Sequence, residues 1–330
     1  VPSGQPTGNP TFKTTQIKTF PIFDYSNSFA GSSFGGAAKL TNLGANDGSH
    51  LLQLTDSCYR DFRPSVQLAS KLFEDRFAYS KNGLWNTHLA WMGIVNKETK
   101  PSQYINCDYD SGGYKILRST GVHVIFRYPK FRYRPSQADA MHVDLWVAGT
   151  NFLVDAGSYS YNSIPDLSGY FSGTVGHNTV QFDGRDQMPK LGRFLFGSWI
   201  KTKHVTPIEV SGSLLSCSAS YCDYKDAEHF RQINLDNNSL SIYDKVKGFK
   251  ENAIIRWRLA DREWTLENTK NGVKVSNGLN ILTVTSDVPI MRAELVDGWK
   301  SLFYMKKQLI AVLEIEIGLT GTIITEFRWA

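Results

Sequence analysis

The chain has 330 residues, of which 41% are hydrophobic and 13% aromatic, so it can bury a large core and is not globally disordered. Its net charge is +5, and the basic residues are scattered along the sequence. A mildly basic chain can attract an anionic partner. No helix-turn-helix, zinc-finger or RNA-binding signature is present, which argues against a nucleic-acid-binding protein. No apolar run reaches the roughly 18 residues needed to span a membrane.

The first part of the chain is rich in loop-forming residues. The stretch 26–48 contains the runs GSSFGG and GANDG. The chain begins Val-Pro-Ser-Gly, without a basic n-region or an apolar h-region, so we interpret it as a fragment or a processed chain. Its 4 cysteines form no CxxC pair. The sequence is compatible with a disulfide between Cys217 and Cys222 and equally with free buried thiols.

Two short helices are predicted before residue 105. Helical spacing begins at Arg63-Pro64, where proline is tolerated because the first N–H groups of a helix have no partner. Apolar residues then recur near helical spacing up to residue 77, and a second helix is predicted over 84–92. Residues 1–104 are therefore predicted to be a loop-rich and helical segment that ends a helical domain.

From residue 105 onward, short β-rich runs recur about every ten residues, separated by Gly, Asn and Asp. The predicted runs are 122–128, 141–147, 178–182, 239–246, 253–259, 309–317 and 322–329. No βαβ alternation is visible. The fold class is therefore mainly β, with a large antiparallel β-sandwich over residues 105–330 preceded by the short helical segment.

A polar segment between residues 134 and 162 is the first candidate for a functional site. In its predicted strand, 141–147, alternation places the odd-numbered apolar residues on the core face. His142, Asp144 and Trp146 fall on the opposite face, which we predict to point away from the core. A solvated sheet face without any function explains a lone histidine there equally well.

The chain after this strand adds further polar groups. Asp155 ends the next predicted strand, and the loop beyond it carries Tyr159 and Tyr161. Alternation over 177–183 places His177 on a polar face too. Histidines, an aspartate, tyrosines and amides in one region are groups for proton transfer, carboxylate binding or metal ligation.

Arg132 and Arg134 belong to a run, 126–134, in which basic and aromatic residues are interleaved. The run is either a solvated edge strand, whose charge opposes edge-to-edge aggregation, or a track for an anionic glycan. Arg185 and Gln187 either line the same cleft as His177 or form a turn. The charged residues of YRDFRP are predicted to form a structural ion-pair network between the helices and the sandwich.

Several motifs together resemble the heparinase II/III-like family. The residues that carry the resemblance are NLGANDG (42–48), YRDFRP (59–64), QADAMHVDLW (137–146), NFLVDAGSYSYN (151–162), GHNTVQFDGRDQM (176–188), RFLFGSWIK (193–201) and IIRWRL (254–259). The resemblance implies an α/α-toroid followed by a β-sandwich. It also implies a periplasmic or secreted polysaccharide lyase that cleaves uronic-acid-containing chains by β-elimination.

β-Elimination requires that the uronate charge be neutralised, that a base remove the C5 proton, and that an acid protonate the departing glycosidic oxygen. The resemblance implies that tyrosine and histidine transfer the protons. The catalytic candidates are His177, His142, Tyr159 and Tyr161. The substrate-binding candidates are Gln137, Arg132, Arg134, Trp146, Asn178, Arg185 and Gln187.

The resemblance also implies one divalent metal ion, zinc or calcium. Asp155 matches the family's metal-binding aspartate, His177 matches the histidine of the HNT motif, and His142 is the third candidate ligand. The chain departs from the family at Gln137, where a histidine is common. An amide can bind a carboxylate but cannot act as a base. The family's general-base tyrosine comes from the toroid, upstream of the matched residues.

Two further hypotheses stay open beside a lyase acting on an acidic polysaccharide. Gln137 and the short helical part favour a non-catalytic glycan-binding or exopolysaccharide-assembly module. A glycoside hydrolase would need a pair of carboxylates, and Asp144, Asp155 and Asp183 are candidates, but no spacing singles out a pair. The polymer and the oligomeric state are not determined by the sequence.

Overall fold

The computed structural model describes residue 42 and the ranges 54–79, 81–95, 106–162, 164–260 and 263–329. The loop runs predicted within 26–48 lie almost wholly outside the described residues. The predicted domain boundary at residues 104 and 105 also lies outside the described residues, so it stays a prediction. Within the described ranges the chain is mainly β, as the strand pattern predicted.

Both predicted helices are present. Helix α1 (Arg63–Glu74) begins at the predicted residue, and α2 (Thr87–Trp91) follows a short 3-10 turn at Leu84–Asn86. Gln67 of α1 is buried, donates to the Tyr79 carbonyl at 3.2 Å and accepts from the Tyr79 N–H at 2.9 Å. This amide therefore anchors the chain that leaves α1.

A third helix, α3 (Pro165–Ser172), was not predicted. Its start signals are present in the sequence, since Pro165 occupies the first turn and Asp166 adds an acidic residue there. The predicted Tyr-rich loop covers only the stretch before α3, through Tyr161 and Asn162. No helix in the described ranges is long and apolar enough to cross a membrane.

The described residues contain twenty strands. In chain order they are β1 (Cys107–Tyr109), β2 (Tyr114–Ser119), β3 (Val122–Arg127), β4 (Val143–Val147), β5 (Thr150–Leu153), β6 (Val180–Phe182), β7 (Lys190–Gly192), β8 (Leu195–Phe196), β9 (Lys201–Val205), β10 (Glu209–Ser211), β11 (Leu214–Cys222), β12 (Glu228–Leu235), β13 (Ser239–Lys247), β14 (Ala253–Arg258), β15 (Thr265–Thr269), β16 (Gly272–Ser276), β17 (Ile281–Ser286), β18 (Ile290–Phe303), β19 (Lys306–Ile317) and β20 (Gly321–Arg328). Each of the seven predicted runs overlaps one of these strands, and the predicted and observed ends differ by at most three residues.

The strands form antiparallel sheets. Strands β1 to β5 make a five-stranded meander in chain order. A nine-stranded sheet has the order β10-β11-β12-β13-β20-β17-β16-β15, with β9 also paired to β11. A four-stranded sheet has the order β18-β19-β14-β6, and β7 pairs with β8 in a small hairpin. Strict burial alternation along β12 and β20 shows that the large sheet buries one face in the shared core.

Strand β4 differs from its prediction because both of its faces are buried. The apolar alternation is correct, but the face that carries Asp144 and Trp146 is covered rather than solvated, and His142 just before the strand is buried as well. The reason is a second layer on the outside of the five-stranded sheet. Phe62, just before α1, packs there against a small cluster made of Cys107, Ile116 and Ile125.

The basic run 126–134 is not an edge strand. Strand β3 ends at Arg127, and the following residues form a loop. Pro129 lies within this segment and Pro135 directly follows it, and neither has an N–H to give to a neighbouring strand. The Arg127 guanidinium turns inward and pairs with Asp139 at 2.6 Å.

The cysteines are free thiols. Cys217 and Cys222 lie on the same strand, β11, an odd number of residues apart, so their side chains leave opposite faces and cannot pair. Burial raises the pKa of the Cys217 thiol to about 12. A buried thiol in this state is unreactive near neutral pH.

Candidate functional site

Three of the predicted site residues meet in the interior. His142 precedes β4, Asp155 follows β5 and His177 precedes β6. Nδ1 of His177 lies 2.7 Å from Oδ2 of Asp155, and Nε2 of His142 lies 3.6 Å from the same oxygen. All three side chains are buried, and their ligand atoms lie within 4.8 Å of one another. We call these residues the buried trio.

Hydrogen bonds orient the buried trio. Oδ1 of Asp155 accepts the Gly157 N–H at 2.7 Å, and Nδ1 of His142 accepts the Asn178 N–H at 3.0 Å. Burial alone raises the pKa of the Asp155 carboxyl, but His177 and His142 outweigh it and hold the pKa below its usual range. Asp155 is therefore a carboxylate that accepts the Nδ1–H of His177. Nε2 of His177 has no hydrogen-bond partner among the described residues.

Asn178 connects three separate segments. Its Nδ2 donates to the carbonyls of Val143 at 2.8 Å and Val154 at 3.2 Å, and its Oδ1 accepts the Arg258 N–H at 2.6 Å. The side chain is fully buried. Its polar atoms are thus engaged with backbone in a structural role, whereas we had predicted a substrate-binding role.

A cavity of about 400 Å³ opens next to the buried trio. It is lined by Arg134, Ser136, Gln137, Ser158, Ser160, Tyr161, Ser168, Phe171, Ser172, Lys190, Arg193 and Phe194. Gln137 donates to the Gly157 carbonyl at 3.3 Å, and the Gly157 N–H binds Asp155, so two hydrogen bonds connect the cavity wall to the trio. None of the described residues that line the cavity is a carboxylate or a histidine.

The cavity lining is cationic and rich in hydroxyl groups. Lys190 donates to the Ser168 carbonyl at 3.2 Å and to Oγ of Ser172 at 2.7 Å. Partial burial lowers the pKa of Lys190, although Asp186 opposes this. Arg134 and Arg193 add two further positive charges. Cations beside hydroxyl groups are the groups that bind an anionic sugar.

Aromatic side chains complete the cavity. Tyr161 is 39% exposed and meets Phe194 edge to face at 5.8 Å between ring centroids. Tyr159 stacks on Phe171 at 5.5 Å but does not itself line the cavity. Of the two predicted tyrosines, therefore, only Tyr161 faces the space in which a ligand fits.

The other predicted contacts are distributed differently. Arg134 lines the cavity, whereas Arg132 is exposed and does not. Trp146 is 4% exposed and stacks on His123 with 5.7 Å between ring centroids. Trp146 lies on the face of β4 opposite the core residues, as alternation predicted, but that face is covered, so the ring offers no free face to a sugar.

Arg185 and Gln187 both have protein partners. Arg185 pairs with Asp183, and with Asp223 at 2.7 Å. Gln187 is buried and donates to the Ala140 carbonyl at 2.9 Å. Neither residue lines the cavity, so the turn interpretation describes their placement better than the cleft interpretation.

Two cationic residues of the cavity, Lys190 and Arg193, were not predicted from the sequence; they lie on the β7–β8 hairpin. Their only sequence signal is position, since they follow the GHNTVQFDGRDQM motif closely. Gly157 belongs to the motif NFLVDAGSYSYN, but the sequence predicted no role for it by itself. It has φ +80°, and a Cβ there would lie 2.2 Å from the Ser301 carbonyl, so only glycine fits beside the buried trio.

A protein-family model and several solved structures match this chain. Residues 107–322 match the family model described as heparinase II/III-like, C-terminal. A heparinase III crystal structure matches with a TM-score of 0.67 at 16% identity, covering 96% of this chain and 48% of that one. Heparan sulfate lyase HepC from Pedobacter heparinus matches with a TM-score of 0.63 at 17% identity, covering 88% and 44%. No match was found among curated proteins. At these identities the structural likeness shows the fold alone, and the chain spans less than half of either structure.

Proposed function

This chain belongs to the heparinase II/III-like family, and we propose that it is the glycan-binding portion of a polysaccharide lyase that acts on an acidic polysaccharide. The observation that carries the proposal is the cavity, which has three cationic side chains and no carboxylate among its described lining residues. A polyanion is attracted to such a site and a carboxylate-bearing sugar is neutralised in it.

The cavity provides some of the groups that β-elimination requires. Arg134, Lys190 and Arg193 are placed to neutralise a uronate, which makes its C5 proton more acidic. Gln137 can bind the same carboxylate through its amide. Tyr161 is the lining side chain suited to proton transfer at the C5 carbon or the glycosidic oxygen. Loss of the C5 proton forms the C4–C5 double bond as the C4–O bond breaks, and the departing oxygen takes up a proton.

The decisive experiment uses the intact parent protein with heparan sulfate and with an unsulfated polyuronate. A lyase produces a steady rise in ultraviolet absorbance, because each cleavage creates an unsaturated sugar. Binding without this rise would support a non-catalytic glycan-binding or exopolysaccharide-assembly module, which Gln137 and the lack of a histidine among the described lining residues favour. New reducing ends without absorbance would indicate hydrolysis.

Hydrolysis has the least structural support. Asp144 and Asp155 are buried, and Asp183 accepts N–H groups from the backbone at residues 250–252. Burial raises the pKa of Asp144, although His142 opposes this shift. None of these three carboxyl groups lines the cavity, so no acid and base pair flanks a bound glycosidic bond there.

Arg134 and Arg132 provide a matched test of the cavity. We expect Arg134→Gln to weaken binding of an acidic oligosaccharide about fivefold, since an exposed ion pair contributes at most about 1 kcal/mol. Arg132→Gln, two residues away on the same loop, is expected to leave the affinity unchanged. Isothermal titration calorimetry at low salt measures both. Equal losses in the two variants would mean that the cavity does not bind the glycan.

We further propose that the buried trio holds one divalent metal ion, and that it is zinc. Two imidazoles and one carboxylate are ligands that suit zinc, whereas calcium takes six to eight oxygens. When bound, the metal supplies a fixed positive charge close to the cavity wall. Because Nδ1 of His142 accepts the Asn178 N–H, the neutral ring carries its proton on Nε2, so this ring would have to give up that hydrogen bond and carry its proton on Nδ1 for Nε2 to coordinate a metal ion.

Metal analysis of the purified protein tests this site. We expect about one zinc per chain after equilibration at pH 8 and less at pH 5, because protons compete with the metal. His177→Gln should abolish zinc binding, whereas His204→Gln, which changes an exposed histidine on β9, should retain it. A His177→Gln variant that still holds zinc would rule the buried trio out as the ligand set.

A further inference from the structure

A second buried polar cluster lies on the large sheet. Arg231 of β12 faces Asp244 of β13 directly across the strand pair, and both are fully buried. Nε of Arg231 donates to Oδ1 of Asp244 at 2.6 Å, and Nη2 donates to Oδ2 at 3.0 Å. Nε2 of His229 lies 2.6 Å from the same carboxylate. The carboxylate thereby holds two of the three guanidinium nitrogens in one orientation.

The third nitrogen reaches the segments that carry the trio. Nη1 of Arg231 donates to the carbonyl of Met141 and, at 2.7 Å, to the carbonyl of Asn178. Met141 directly precedes His142, and Asn178 directly follows His177. One guanidinium therefore connects the large sheet to a segment before β4 and a segment before β6, which belong to two other sheets.

The backbone at Met141 has an unfavourable conformation that a contact to its carbonyl can stabilise. Met141 has φ +65°, a left-handed conformation that residues with a side chain rarely adopt. The Asn178 N–H is the donor to Nδ1 of His142, so a shift of Asn178 changes the orientation of that ring. The position of both histidines thus depends on the two carbonyl groups that Arg231 holds.

We propose that Arg231 is a positioning residue that sets the separation of His142 and His177, and that Asp244 and His229 orient it. As far as it concerns a metal, this inference rests on the proposed zinc site. Stability alone does not account for the cluster, since a buried ion pair is often no better than packed apolar residues. Lysine cannot replace arginine here, because its single nitrogen cannot engage the carboxylate bidentately and also reach two carbonyls.

The variant Arg231→Lys tests the inference against Arg256→Lys. Arg256 is also a buried arginine, but its side chain binds Glu314 and Gln181 rather than the trio segments. Zinc affinity is measured at one pH by competition with a chelator. We expect it to fall at least about tenfold in Arg231→Lys, as for other residues that orient metal ligands, and to be unchanged in Arg256→Lys.

Amide hydrogen exchange provides a readout that needs no metal. The quantity measured is the ratio of the exchange rate of the Asn178 backbone amide to that of the Ile242 backbone amide in β13. This ratio is expected to rise in Arg231→Lys and to stay at the wild-type value in Arg256→Lys. An unchanged ratio in Arg231→Lys would overturn the positioning role. Faster exchange at Asn178 in a protein that binds no zinc would support the positioning role of Arg231 and would contradict only the proposed zinc site. Should Arg231→Lys not fold, Asp244→Asn is expected to change the same ratio in the same direction.

Discussion

Replacing Asn178 by alanine is expected to lower the free energy of unfolding by about 4 kcal/mol. The substitution leaves the buried carbonyls of Val143 and Val154 and the buried N–H of Arg258 without the partner they have now. Each buried polar group that loses its partner costs about 1–3 kcal/mol. Urea unfolding monitored by circular dichroism measures the change.

Asn271→Ala is the matched control, because Asn271 is exposed in the turn between β15 and β16. Its substitution is expected to change the free energy of unfolding by less than about 0.5 kcal/mol. If Asn178→Ala were as stable as this control and instead lost glycan binding, Asn178 would be a substrate contact after all. The experiment therefore decides between the two roles considered for this residue.

A strong dependence of stability on pH is expected from His123. Burial, with a smaller contribution from Arg118, lowers the pKa of this histidine to about 3. An unfolded histidine has a pKa of about 6.5, so the unfolded state binds the proton more readily and stability falls as the pH drops through that range. Between pH 7 and pH 5 this single group is expected to cost about 2 kcal/mol.

His123→Phe is expected to remove that part of the pH dependence, because phenylalanine cannot bind a proton and can still stack on Trp146. Urea unfolding at pH 7 and pH 5 gives the difference for each protein. The variant should lose about 2 kcal/mol less than the wild type over this interval. His204→Gln serves as the exposed control. A variant with the full wild-type pH dependence would show that other groups cause it.

Most of the fold could be predicted from the sequence because its signals are local. Alternation of apolar residues has the period of a strand and located the seven predicted runs. Pro64 located the start of α1 by the same kind of local rule. The motifs also placed His142, Asp155 and His177 in one group, and the structure brings these three residues together.

Other features depend on residues that are distant in the sequence. Strand β4 carries the pattern of a half-exposed strand, and it is buried on both faces only because Phe62 and its neighbours cover the outer sheet. Nothing near Asn178 in the sequence reveals its three backbone partners, which come from separate segments. The structural contacts of Asn178 could not be predicted from the sequence for that reason.

The sequence by itself determined a mainly β fold, its strand positions, its family resemblance and the residue types of the buried trio. Only the tertiary structure separated Arg134, which lines the cavity, from Arg132, which does not, and added Lys190 and Arg193 to the lining. The physical reason is that periodicity reports which side of an element a residue occupies. The packing of the sheets and loops decides what covers that side and which charged residues line a cavity.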